Sequence, residues 1–321
     1  MDINLAIAER ARAGESLTAA ELDELASADL LSLGMLADEV RRSRVGDTVT
    51  YVRVFEWSAS ARTGSGELRR DSAEAASGRE GEPVPSKAGE IRIAVVPESL
   101  AGAVAAIGNA RAAAPKVLLT AFSLADIVDR AWAPLVDVLR QLKSAGLDAI
   151  AEAPIDRVAD LAGALQACQD AGLAARCLSL QKPVGGARID LLVLLQTLAA
   201  RFAWVQTVAP LPREQSVAVP TTGYDDVRAV AMARLALPAV RNIQVDWAQY
   251  GPKLAQVALT FGANDVDRVS PIDDETLGRR RTAVEDVKRN IAAAGFTPVE
   301  RDLPFDSQRG GASPLAQGRP Q

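Results

Sequence analysis

From Glu90 onward the chain alternates short β-branched runs with helix-like stretches, in units of roughly 25 to 30 residues. IRIAVV (91–96), KVLLTAF (116–122), LDAIAE (147–152), AARCLSL (174–180), AWVQTVA (203–209) and NIQVDW (242–247) read as buried strands. The stretches between them read as helices: an Ala-rich one ending at Ala113, Ala131–Ser144, one capped by Asp156 and running to Asp170, Asp190–Arg201, Asp225–Leu237 and Glu275–Ala294. Successive strands joined by helices must lie parallel, because each helix carries the chain back to the end where the last strand began. Six to eight such units close a (β/α) barrel of TIM type more readily than an open sheet, since no GxGxxG follows the first strand.

The first 47 residues read as helices packed against that barrel. Thr18 with Glu21 forms a capping box, Asp29 caps a third helix, and Leu30, Leu33, Leu36 and Val40 share one of its faces. Gly46-Asp47 turns the chain into TVTYVRVF (48–55), a further strand. The barrel is therefore expected over 48–305. It is interrupted by a flexible segment at 58–90 that is rich in Ser, Gly, Glu and Arg, and it is followed by a disordered tail at 306–321.

The 321 residues contain no His, which removes Ser-His-Asp catalysis and His-ligated metals. The two Cys, Cys168 and Cys177, match no metal-binding spacing, so no metal site is expected; both read as small buried hydrophobes. A formal charge of −5 argues against a nucleic-acid surface. With no apolar run of 18 residues and no basic region before an apolar one at the N-terminus, the expectation is a cytoplasmic protein without a membrane partner.

Sites on such barrels gather at the C-terminal ends of the strands. The polar residues placed there by this reading are Glu98, Asp126, Glu152, Lys182, Asp246, Asn264 and Asp265. Lys182 can form a Schiff base if desolvated, although Pro183-Val184-Gly185-Gly186 reads as an exposed turn; Glu152 and Glu98 can serve acid–base work. Arg279-Arg280-Arg281 reads as a solvated face of the last helix.

Several stretches resemble the radical S-adenosylmethionine enzymes of the futalosine route to menaquinone. The nearest types are aminodeoxyfutalosine synthase and dehypoxanthine futalosine cyclase, with wider kinship to the deazaflavin-cofactor synthases. The segment at 222–267, from TGYDDVRAVAMARL to FGANDVD, is similar to that family's helix-to-strand stretch ending in "GaND". AAAPKVLLTAFSLADIV (112–128), LKSAGLDAI (142–150), LSLGMLADEVRRSRVGDTVTYV (31–52) and Gly295-Phe296-Thr297-Pro298 resemble further family segments. The resemblance implies a barrel, a 4Fe–4S cluster held by a CxxxCxxC loop, and bound S-adenosylmethionine.

The departures fall on that chemistry. Phe55-Glu56-Trp57 and the following segment stand where the three Cys belong. Val96-Pro97 replaces a Gly-Gly, Ala151-Glu152-Ala153-Pro154 a Gly-rich turn, Leu180-Gln181-Lys182 a Tyr-Gly-His, and Arg268-Val269 a Gly-Thr.

The leading expectation is thus a cluster-less, degenerate paralogue of the futalosine-pathway enzymes that needs no cofactor and acts as a non-catalytic binding or partner subunit. Its partner is an active paralogous radical enzyme or a small nucleoside-like metabolite, with Asp126, Asp246, Asn264 and Asp265 as ligand-binding residues. Two alternatives stay open. One is a repurposed barrel enzyme using Lys182, Glu152 and Glu98 on a small polar substrate; the other is a radical enzyme of menaquinone biosynthesis with its cluster supplied in trans.

Overall fold

The computed structural model describes residues 3–58, 77–79, 83–183, 188–214, 221–272 and 283–301. Eight parallel strands close on themselves in the order β1 (Thr48–Ser58), β3 (Glu90–Ile93), β4 (Leu118–Ser123), β5 (Ala149–Pro154), β6 (Leu178–Leu180), β7 (Thr207–Pro212), β8 (Asn242–Asp246) and β9 (Asp265–Val269). The β1–β9 pairing, with Thr50 beside Asp265 and Tyr51 beside Val266, is the closure. Two short strands extend β1: β2 (Ser77–Arg79) along Glu56–Ser58, and β10 (Thr297–Glu300) along Thr48–Tyr51. The expected barrel is therefore the fold.

Helices α4 (Leu100–Ala113), α5 (Leu124–Arg130), α6 (Leu135–Ser144), α7 (Leu161–Asp170), α8 (Ile189–Arg201), α9 (Gly223–Ala236), α10 (Trp247–Thr260) and α11 (Ala283–Ala293) surround it. Three more precede it. α1 (Leu5–Ala13) is capped by Asn4, α2 (Ala19–Ala26) by the Thr18/Glu21 box, and α3 (Leu30–Val45) by Asp29. α3 buries Leu33, Leu36, Ala37 and Val40 against the barrel's helical layer, each leucine contributing about 2 kcal/mol of apolar burial. At its far end Arg41 and Arg42 lie over the ring of Phe296, joining α3 to the approach to β10.

Several boundaries differ from the expectation. The helix foreseen over Ala131–Ser144 begins only at Leu135, after a short α5 that stops where Ala131 turns left-handed at φ 47°. Asp160, not Asp156, caps α7; the Asp156 carboxylate instead accepts from the backbone N–H groups of Gln181 and Lys182. β9 and β10 were not foreseen as strands, and β7 runs three residues further than Ala209.

Of the segment 58–90, residues 59–76 and 80–82 lie outside the described residues, as do Gly185, Gly186, Arg279–Arg281 and the tail after Asp306. Residues 77–79 pair with β1, and Glu90 opens β3 fully buried. Among the described residues, no helix is long and apolar enough to cross a membrane.

Candidate functional site at the barrel mouth

A TIM barrel usually fills its axis with layers of branched apolar side chains. This one fills it with charge. Low on the axis Asp265 meets Arg301; above them Arg92 joins Glu90 to Asp267, and Thr120 Oγ1 donates to Glu90. Arg92 and Arg301 hold the Asp267 carboxyl well below the usual carboxylate range, against the cost of its complete burial. The buried charges are thus compensated in pairs, as burial requires.

At the C-terminal ends of the strands this lattice opens into a cavity of about 230 Å³, lined among others by Glu56, Asp126, Glu152, Arg157, Arg213 and Arg268. An alternating chain of charges crosses its wall. Glu152 Oε2 accepts from Arg213 Nε at 3.0 Å, Arg213 Nη1 donates to Asp246 Oδ2 at 3.1 Å, and Arg268 Nη1 donates to the same oxygen at 3.3 Å. Arg268 then pairs with Glu56 on β1. Five residues from β5, β7, β8, β9 and β1 are so tied across the mouth. The carboxylates of Glu152 and Asp246 hold the Arg213 guanidinium firmly charged despite its burial.

Two bulges aim the arginines. Between Tyr51 and Arg53 on β1 the register with β9 passes from Val266 to Val269, so β9 carries one extra residue. Arg268 takes the strained left-handed conformation there, at φ 56°, and consecutive residues Asp267 and Arg268 both reach into the lattice. On β7 the pairing with β6 jumps from Ala209 to Pro212, which brings Arg213 over the mouth. The first turn of α10 fixes it: Asp246 Oδ1 caps Gln249 N, while Gln249 Nε2 donates to the Pro212 and Arg213 carbonyls and Tyr250 Oη to that of Pro212.

Of the residues expected at the site, the structure brings Asp126, Glu152 and Asp246 together. Asp126, in the first turn of α5, lines the cavity and accepts from Arg157. Glu98 stands apart: its side chain is 90% exposed and paired with Arg130. Lys182 is exposed in the loop after β6 and does not line the cavity, so the desolvation that Schiff-base chemistry needs is absent there.

Asn264 and Asp265 lie at the opposite end of β9, beneath the lattice rather than at the mouth. Asn264 accepts from Arg234 Nη2 and Ile243 N and donates to Asn242; Asp265 faces Arg301, Thr50 and Gln244. Glu56, Arg92, Arg157, Arg213 and Arg268 complete the mouth and were not foreseen as site residues. Arg268 carried one signal, as a bulky residue where the resembled family has glycine.

Both cysteines are buried, and burial pushes each thiol up to about 12. Native protein at pH 8 is expected to leave a disulfide reagent such as Ellman's unreacted, with two thiols appearing on unfolding in guanidinium chloride. Prompt reaction of either thiol in the native protein would contradict this burial.

Comparison with known proteins follows the sequence resemblance. Residues 199–310 match the model of the CofH/MqnC C-terminal region. The chain is 30% identical over 133 residues to 5-amino-6-(D-ribitylamino)uracil–L-tyrosine 4-hydroxyphenyl transferase of Archaeoglobus fulgidus, covering 37% of this chain and 38% of that one. It is 39% identical over 95 residues to aminodeoxyfutalosine synthase of Thermus thermophilus, covering 28% and 25%. The matched stretches thus span well under half the length of these relatives.

Among solved structures, methylornithine synthase superposes with a TM-score of 0.61 at 16% identity, over 91% of this chain and 97% of that one. A maturase of the FeFe-hydrogenase gives 0.61 at 13%, over 92% and 74%. These two show the shared fold.

The expectation that this chain needs no cofactor is corrected by these matches. The relatives are radical S-adenosylmethionine enzymes of menaquinone and cofactor biosynthesis, which require an iron–sulfur cluster and S-adenosylmethionine. The residues present do not fit the cluster itself: it takes three clustered thiolates, and this chain has two buried, protonated thiols.

Proposed function

We propose that this chain acts as a binding member of the radical S-adenosylmethionine lineage, a barrel that works beside an active enzyme of menaquinone or related cofactor biosynthesis. The observation that carries the reading is the mouth itself. Its arginines and carboxylates neutralise one another in the chain from Glu152 to Glu56, and Cys168 and Cys177 are sealed elsewhere in the fold. Such a wall suits the holding of a small polar ligand through charge-assisted hydrogen bonds. Among the described lining residues, the Ser123 hydroxyl has no hydrogen bond to a base. A complex with an active enzyme accounts for a lineage that depends on a cluster together with a chain that lacks the thiolates.

The test is affinity purification of the full chain from its native host, repeated by co-expression with the CxxxCxxC-bearing enzymes of that host. Recovery of one such enzyme at near-equal stoichiometry, with the iron–sulfur absorbance near 400 nm in the complex, supports the reading. Isolation of the chain alone from both preparations overturns it.

A further inference from the structure

A second cavity, of about 70 Å³, lies outside the barrel wall, between β6 and β7 on one side and α8 and α9 on the other. Its walls are apolar: Leu178 and Leu180 from β6, Leu192 and Leu195 from α8, and Met232 and Ala233 from α9 all face it. A space of this size holds on the order of five water-sized probes, yet walls without polar partners do not retain water. Protein interiors seldom keep voids larger than a single water molecule. One polar side chain completes the lining. Arg188, just before α8, is 41% exposed and marks the edge at which the cavity meets solvent.

We infer that this cavity binds a small amphiphilic monocarboxylate, its alkyl or aryl end between α8, α9 and the β6–β7 wall and its carboxylate on the Arg188 guanidinium. Three observations carry the assignment. The cavity volume matches a chain of about five or six carbons. The apolar lining favours dry burial of such a chain. Arg188, in the lining and 41% exposed, supplies a cation where a charged head stays in contact with water.

Arg188 is held in the right place but not consumed. Its partner Asp190 is itself on the exposed first turn of α8, 62% accessible, and accepts from Arg188 Nε and Nη2. That leaves Nη1 with its two N–H groups for a ligand. The assignment is independent of the mouth cavity, which lies over the barrel axis and has a charged wall.

The methionines provide the measurement. The chain contains three, of which Met232 lines the cavity and Met35 on α3 is 74% exposed to solvent. With ¹³C-methyl-methionine protein, titration with sodium hexanoate is expected to shift the Met232 resonance saturably and leave Met35 unmoved.

Arg188→Gln is expected to weaken hexanoate about tenfold while leaving 1-hexanol binding unchanged. Ala229→Phe, from a partly buried position of α9 that lines the cavity, is expected to abolish both. Failure of both ligands to move Met232 at tens of millimolar, or hexanoate binding unaltered in Ala229→Phe, overturns the site. Equal weakening of hexanoate and hexanol by Arg188→Gln overturns the carboxylate assignment.

Discussion

Replacing Asp265 with Ala is expected to lower the free energy of unfolding by about 3–5 kcal/mol, the range for breaking a buried ion pair from one side. The Asp265 carboxylate is fully buried at the base of β9 and accepts four hydrogen bonds: from Thr50 Oγ1 at 2.5 Å, Gln244 Nε2 at 2.7 Å, and Arg301 Nε and Nη2 at 2.9 and 3.0 Å. Thr50 and Asp265 also face one another across the strand pair that closes the barrel, so the loss falls on the closure itself. Once the carboxylate is gone, two of the Arg301 hydrogen bonds go with it, and Asp267, 3.7 Å from Arg301, is already engaged by Arg92.

Urea denaturation followed by circular dichroism measures the change; a loss under 1 kcal/mol would show that water reaches the lower lattice. The double variant Asp265→Leu/Arg301→Met is expected to recover part of the loss, because it removes the buried cation together with its carboxylate. Additive losses in the two single variants and the double would instead mean the pair is not coupled.

The same lattice explains what could and could not be read from the chain. Helices and outer strand faces here are apolar at the ordinary periods, so the barrel, the capping box at Thr18 and Glu21 and the cap at Asp29 were legible. The barrel's inner faces carry paired charges, and there the apolar alternation that signals a strand disappears. Asp265–Val269, DVDRV, is a buried strand with three charges in five residues, which no hydrophobic pattern reveals.

With β9 unrecognised, Asn264 and Asp265 were assigned to the end of the barrel opposite the one they occupy. Arg213 and Arg268 escaped for a related reason. Arg268 follows a one-residue bulge that switches the face of what comes after it, and Arg213 follows two extra residues on β7 that carry it beyond the strand pairing; neither leaves a mark in composition. Glu152 and Asp246 lie on strands without such a shift, and these were found.

Arg234 presents the other large expected effect. It is fully buried on α9 with no ion-paired carboxylate among the described residues; Nε donates to the Gly262 carbonyl at 2.8 Å, Nη1 to that of Arg241 at 3.2 Å and Nη2 to Asn264 Oδ1 at 2.5 Å. Burial pulls its proton affinity down to about 9, which still leaves the guanidinium charged at neutral pH, solvated by protein oxygens in place of water. These bonds fasten the turn between α10 and β9. Gly262 sits there at φ 107°, and a Cβ on it would come within 2.8 Å of the Arg234 Cβ.

Arg234→Met keeps much of the side-chain volume but takes the donors from the Gly262 and Arg241 carbonyls and leaves Asn264 Oδ1 with Ile243 N. An unsatisfied buried acceptor costs about 1–3 kcal/mol, so a total loss of about 2–4 kcal/mol is expected after local relaxation. Arg234→Lys retains the charge without the planar fork and is expected to recover less than half of that loss. Gly262→Ala, which forces the same turn apart from its other side, is expected to destabilise comparably and to add nearly in full to Arg234→Met, since Met keeps the Cβ that the new methyl meets and φ 107° strains an alanine in either background. A combined loss well short of the sum in denaturation midpoints would show that the turn relaxes once the guanidinium is gone.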